Sequence, residues 1–156
     1  MRPHALSTSC LLLLALLLTG NGCATPSLVE EIPDRARREL ADRFPLAEAV
    51  EWAAYDGEVY ASFYDLESRC PVQMTFDRKG RWRETTVGIE NTRLPDPITA
   101  YLDENFADAY ALAYEVRSKS GTNYGLTVDT PTHIYTLTFS KRGKLLERTE
   151  ESLDGN

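Results

Sequence analysis

Cysteine and histidine are scarce in this chain, three of one and two of the other among 156 residues. Cys10, Cys23 and Cys70 form no Cys-x-x-Cys pair, and His4 and His133 form no His-x-x-x-His pair, so zinc and dithiol chemistry have no ligand set. The absence of a glycine-rich phosphate loop removes nucleotide chemistry of the P-loop type. Lys and Arg number 17 against 24 Asp and Glu, and the resulting formal charge of −7 lacks the basic footprint of a nucleic-acid binder. The longest uninterrupted apolar run, residues 11–18, is far short of the ~20 residues a membrane-spanning helix requires. Without its leader the chain is also too short for a doubly wound nucleotide fold or a TIM barrel. A small antiparallel or α+β protein without a cofactor is what remains.

What is present begins with an export signal. Arg2, the leucine-rich run, and the small polar stretch Thr19, Gly20, Asn21, Gly22 make residues 1–22 a signal peptide. Cys23 follows at once, in the place of the lipidated cysteine of bacterial lipoproteins, although Gly20 stands where such sequences carry leucine. Lipidation of Cys23 is the favoured expectation, because several acyl chains give a stable anchor. Cleavage after Gly22 or Ala24, giving a soluble secreted protein, is the alternative; an unlipidated Cys23 retained after Gly22 would be chemically able to pair with Cys70.

Beyond a tether at 23–31, the chain repeats itself. Ile32, Pro33, Asp34, Leu40 and Phe44 recur as Leu94, Pro95, Asp96, Leu102 and Phe106, each 62 positions on. The register continues through Val50 with Leu112 and Trp52 with Tyr114, becomes 64 at Tyr60 with Tyr124, and 63 at Phe76 with Phe139 and Gly80 with Gly143. Within each copy a four-residue period, as in Ala36, Leu40 and Phe44, gives way to alternation, so a helix is followed by strands. Asp56-Gly57 signals a tight hairpin, and Asp77-Arg78-Lys79-Gly80 and Ser140-Lys141-Arg142-Gly143 signal wider turns. The expected architecture is α+β: a tandem repeat of one helix plus a four-stranded antiparallel sheet, over 32–89 and 94–150, with a tail at 151–156. Two sheets, side by side or edge to edge, each with a helix across one face, are expected to pack together.

Several of these residues carry a family resemblance. Ile32-Pro33, Phe44-Pro45, Val50-Glu51-Trp52, and Thr75-Phe76-Asp77 followed by Gly80 and Trp82 resemble the PepSY-like, beta-lactamase-inhibitor-like (BLIP-like) proteins of bacterial envelopes. Copy two departs from the pattern at Ala107 and Ser140. The resemblance implies a non-catalytic module of the periplasm or outer membrane that binds an envelope or secreted protein, as an inhibitor or accessory. Its membrane contact would be confined to the N-terminal lipid.

Chemistry-bearing residues are otherwise dispersed. His133 has no repeat-related partner for a dyad, which ranks a hydrolase built on it last. Cys70 beside Pro71 reads as a small buried or half-buried thiol. Asp65, Glu67 and Asp77 lack the loop spacing of a calcium site, and Asp77 is better placed to bond its own turn. Aromatic placement stands out instead. Val59, Ala61 and Phe63 share one strand face, and Tyr60, Ser62 and Tyr64 the other. Tyr60, Tyr64 and Tyr124 are therefore the expected partner-binding anchors on a sheet face without a helix, and exchange of Tyr60 and Tyr64 for serine is expected to cost binding but little stability. A small-ligand or cation sensor at the seam between the copies is the alternative function.

Overall fold

A computed structural model describes residues 32–107 and 109–153. The signal peptide, Cys23, the tether through residue 31, and residues 154–156 of the tail lie outside the described residues. Helix α1, Asp34–Arg43, follows Pro33, whose carbonyl accepts the Ala36 N–H at 2.9 Å; Asp34 in the first turn complements the helix dipole. Pro45 then prevents continuation. Strands β1 (Ala47–Tyr55), β2 (Glu58–Asp65), β3 (Cys70–Asp77) and β4 (Trp82–Ile89) follow. A short 3₁₀ turn, Asn91–Arg93, leads into α2 (Asp96–Asn105), β5 (Tyr110–Ser118), β6 (Gly121–Asp129), β7 (His133–Ser140) and β8 (Leu145–Ser152).

The eight strands form one antiparallel sheet in sequence order, rather than the two sheets expected. The join is β4 on β5, from Glu84 opposite Ser118 to Ile89 opposite Ala113. Pairing these two strands satisfies backbone groups that two separate sheets would each have left along an open edge. The outer edges are blunted differently. β1 is broken by a bulge at Ala49 and Val50, with Ala49 at φ +52°, and β8 is studded with Glu147, Arg148, Glu150 and Glu151.

Register places both helices on one side. Ala36 and Leu40 pack with Val59, Ala61, Phe63, Met74, Phe76 and Val87. Val87 and Ile89 share a face of β4, Ile89 faces Ala113, and Ala113 belongs to the second core with Ile98, Leu126, Leu137 and Phe139. The opposite face of the sheet carries no helix among the described residues.

The recurring turn glycines seat the helices. Gly80 lies at φ +69°, and a Cβ there would come within 2.8 Å of the Ala36 nitrogen. Gly143, at φ +79°, similarly lies against Pro97. Asp56 and Gly57 both have positive φ, +48° and +78°, the conformation of a two-residue type I′ hairpin.

Candidate functional site

The motif residues resolve first into structural work. Asp77 Oδ1 accepts the backbone N–H groups of Lys79 and Arg81, both at 2.9 Å, and Oδ2 accepts from Arg81 Nε at 2.6 Å. Burial opposes ionisation of Asp77, but the backbone and guanidinium donors of Arg81 and the Lys79 N–H outweigh it and hold the carboxyl at about 2. Ser140 does the same service more weakly, its Oγ accepting the Lys144 N–H at 3.1 Å. Trp82 donates from Nε1 to Thr85 Oγ1 at 2.8 Å, and the Arg43 guanidinium lies 4.1 Å from its ring centroid. The signature is thus a clamp between helix and hairpin.

One acid-limb prediction follows from the clamp. The folded value near 2 is below the ordinary 3.8, so the stabilisation is complete above about pH 4 and is lost as pH falls toward 2. Asp77→Asn should cost about 1 kcal/mol at neutral pH, allowing for the half-exposed Arg81, and the difference from wild type should shrink between pH 4 and 2. Urea melts at a series of pH values measure this; a pH-independent difference would reject it.

The other chemistry-bearing residues are similarly occupied. His133 Nδ1 pairs with Thr132 Oγ1 at 2.9 Å, and its ring stacks on Tyr135. Its partners are a hydroxyl and an arene, not a carboxylate. Cys70 is half-buried against the first core, its thiol donating to the Ser68 carbonyl at 3.2 Å. Asp65 is buried, and its Oδ2 accepts from the Ser68 N–H and hydroxyl. Burial resists its ionisation, yet these donors hold its carboxyl below the usual range. No group of three or more His, Cys, Asp or Glu among the described residues is arranged to hold a metal ion.

The three tyrosine anchors fall in three different places. Tyr64 is on the helix-free face and 42% exposed, its hydroxyl donating to the Arg69 carbonyl at 2.7 Å. Tyr60 is on the same face but only 2% exposed, with its hydroxyl on Glu58 at 2.7 Å, so it is a packing residue and not a displayed anchor. Tyr124 is on the helix side, opposite Phe139 and packed against the second core. Its expected equivalence with Tyr60 fails by one residue: Tyr60 pairs with Thr75 and Gly125 pairs with Thr138, so Gly125 occupies the matching position.

The same slip separates Trp52 from Tyr114. The bulge at Ala49 and Val50 turns Trp52 onto the helix side opposite Ala61, whereas unbulged β5 sends Tyr114 to the open face opposite Gly125. A single inserted residue exchanges the two faces of everything beyond it. The ring of Tyr114 lies where a Gly125 Cβ would be, so glycine is required there for close approach.

Consequently the open face has a feature the repeat register concealed. Tyr110, Leu112, Tyr114 and Val116 alternate along β5 on the helix-free side, near the centre of the sheet. Tyr110 is 65% exposed and Leu112 46%. Polar lanes flank this stripe: Thr86 and Gly88 on β4, Thr127 and Asn123 on β6. Toward the edges, Glu48 and Glu51 on β1 and Glu147 and Glu151 on β8 are exposed on the same face. The signal was available in the sequence: β5 is apolar at every alternate position over 110–116, and the intervening Ala111 and Ala113 are small apolar residues too.

A single eight-stranded antiparallel sheet with two helices on one face and an uncovered apolar stripe on the other defines an α+β scaffold. The family described as "Putative beta-lactamase-inhibitor-like, PepSY-like" matches residues 59–147, and the chain belongs to that family. Among solved structures it is similar to one described as a "putative periplasmic" protein of Bacteroides eggerthii, at 16% identity and TM-score 0.69, over 76% of this chain and 88% of that one. A BLIP-like protein of Bacteroides fragilis is similar at 19% identity and TM-score 0.63, over 80% and 89%. A DUF2874 family protein of Bacteroides ovatus is similar at 19% and 0.66, over 76% and 86%. At these identities the likeness speaks to fold. No curated protein matches the chain. No helix among the described residues is long and apolar enough to cross a membrane.

Proposed function

We propose that this protein is a non-catalytic binding module of the bacterial envelope, exported by residues 1–22, held by lipid on Cys23, and directed at another envelope or secreted protein. In this reading the chain is two copies of one helix-plus-four-strand unit. The paired turn glycines, Gly80 and Gly143, and the paired aromatic helix ends, Phe44 and Phe106, support that descent. One observation carries the function: the apolar stripe of Tyr110, Leu112, Tyr114 and Val116 on an uncovered sheet, with Tyr110 and Leu112 exposed and Tyr114 and Val116 half-buried. Tyrosine supplies large contact area at low entropic cost, which suits a protein-binding centre.

Charge narrows the partner to one with a basic rim around an apolar patch, since Glu48, Glu51, Glu147 and Glu151 bracket the stripe. Such rims act chiefly on association rate and specificity. The experiment is cross-linked capture from native envelope, followed by affinity measurement with the retained protein. Leu112→Ser with Tyr110→Ser should weaken binding by at least about 10-fold, and Glu48→Lys with Glu147→Lys should slow association in a salt-dependent way. Arg38→Ala, on the helix side, should leave both unchanged. Undiminished affinity in the stripe variant would overturn the assignment.

A further inference from the structure

The two halves differ beneath their helices. In the first, Phe44, just after α1, meets Phe63 of β2 edge to face at 5.1 Å, and Val50 of β1 fills in beside them. In the second, Phe106 after α2 meets Tyr135 of β7 instead, at 4.9 Å, and β5 and β6 offer Ala111 and Val128 at the positions of Val50 and Phe63. The smaller side chains leave a cleft of about 320 Å³ between α2 and the sheet. α1 buries Ala36 and Leu40, whereas α2 buries only Ile98, and Leu102 remains half-exposed on the cleft wall. Interiors ordinarily close such gaps, so an unfilled one within a shared scaffold invites an occupant.

Its chemistry is asymmetric. Leu94, Leu102, Phe106 and Val128 make the walls apolar, while Asn91, Thr99 and Asp103 supply the polar groups. The Asn91 side-chain N–H₂ is committed to the Ala111 carbonyl at 3.1 Å, which leaves its Oδ1 to accept. Asp103 is exposed, and no cation among the described residues pairs with it. A carboxylate and an amide oxygen call for a donor, preferably a cation, whose apolar body enters the cleft. We propose that this cleft is a small-molecule site for an amphipathic primary amine of about one ring or a short alkyl chain, independent of the sheet face on the other side. The volume is at the lower end of ligand pockets, which run about 300–1,000 Å³. A ligand this small should bind with Kd on the order of 1 mM.

The test uses the purified protein with 2-phenylethylamine and, as the acidic counterpart, 3-phenylpropionate, followed by thermal shift and amide chemical shifts. The amine should shift residues of α2 and β5 saturably and raise Tm, with at least about fivefold preference over the acid. Val128→Phe, which places in the second half the aromatic that Phe63 supplies in the first, should abolish binding; Ala111→Val serves if that variant does not fold. Asp103→Asn should retain the fold and lose the preference for amine. Absence of saturable shifts with the amine, equal binding of amine and acid, or undiminished binding in the filled-cleft variant would each overturn the site. None of these outcomes bears on partner capture by β5.

Discussion

Tyr60→Ser should destabilise the protein by about 3 kcal/mol, while Tyr64→Ser, four residues along the same strand face, should cost under about 1 kcal/mol. Tyr60 is 2% exposed and donates its hydroxyl to Glu58. Serine there removes the ring from its packed surroundings and leaves a cavity, which costs more than transfer of the ring alone. It also strips the Glu58 carboxylate of a donor. Tyr64, near the β2–β3 turn, keeps 42% of its surface in water, so its loss removes one hydrogen bond and far less buried area than the loss of Tyr60. For a chain of this size the first change should lower Tm by roughly 10 °C and the second by a few degrees. Equal shifts in the two variants would show that Tyr60 is not the packing residue its burial implies.

Gly80→Ala should cost about 3 kcal/mol, and Gly121→Ala about 1 kcal/mol. Both glycines have positive φ, +69° and +127°, so both substitutions carry a backbone penalty. Only Gly80 adds a collision: its new Cβ would come within 2.8 Å of the Ala36 nitrogen and 2.9 Å of the Pro33 Cβ. Neither neighbour is the far end of a flexible side chain, so α1 must lift from the hairpin to make room. Nothing lies within 4 Å of the Cβ position at Gly121. The comparison therefore separates conformational strain from helix seating. Urea denaturation of both variants gives the two costs, and equal values would mean that the turn does not seat the helix.

Tyr124 leaves the face of Tyr60 for the same reason that Tyr114 leaves the side of Trp52, whereas Tyr60 stays on its expected face and is simply buried there. Sequence offsets of 62 and 64 align Trp52 with Tyr114 and Tyr60 with Tyr124, yet each pair is split between the two faces of the sheet. Similar residue types at nearly constant spacing align strands only along the sequence; a face is decided by parity, and parity changes with one bulged residue. The same parity rule governs β5. Offset alone pairs Tyr114 with Trp52, which is packed against Phe76 on the helix side. The exposed pair Tyr110 and Leu112 emerges only once β5 is placed beside β4 and β6 with no bulge to turn it over.

By itself the sequence determined what short range controls. Four-residue apolar spacing after a proline marks both helices, with Pro45 closing the first, Asp56-Gly57 admits the two positive φ values of its hairpin, and Asp77 with Gly80 encodes a turn that bonds itself. These outcomes depend on neighbours within a few positions. Tertiary structure decided the rest: that β4 and β5 merge two expected sheets into one, that Tyr60 is enclosed while Tyr64 is not, that Tyr124 belongs to a core, and that Ala111 and Val128 line a cleft under α2. Each of these depends on which strands pair, in what register, and on what lies across the sheet, quantities that no local period contains.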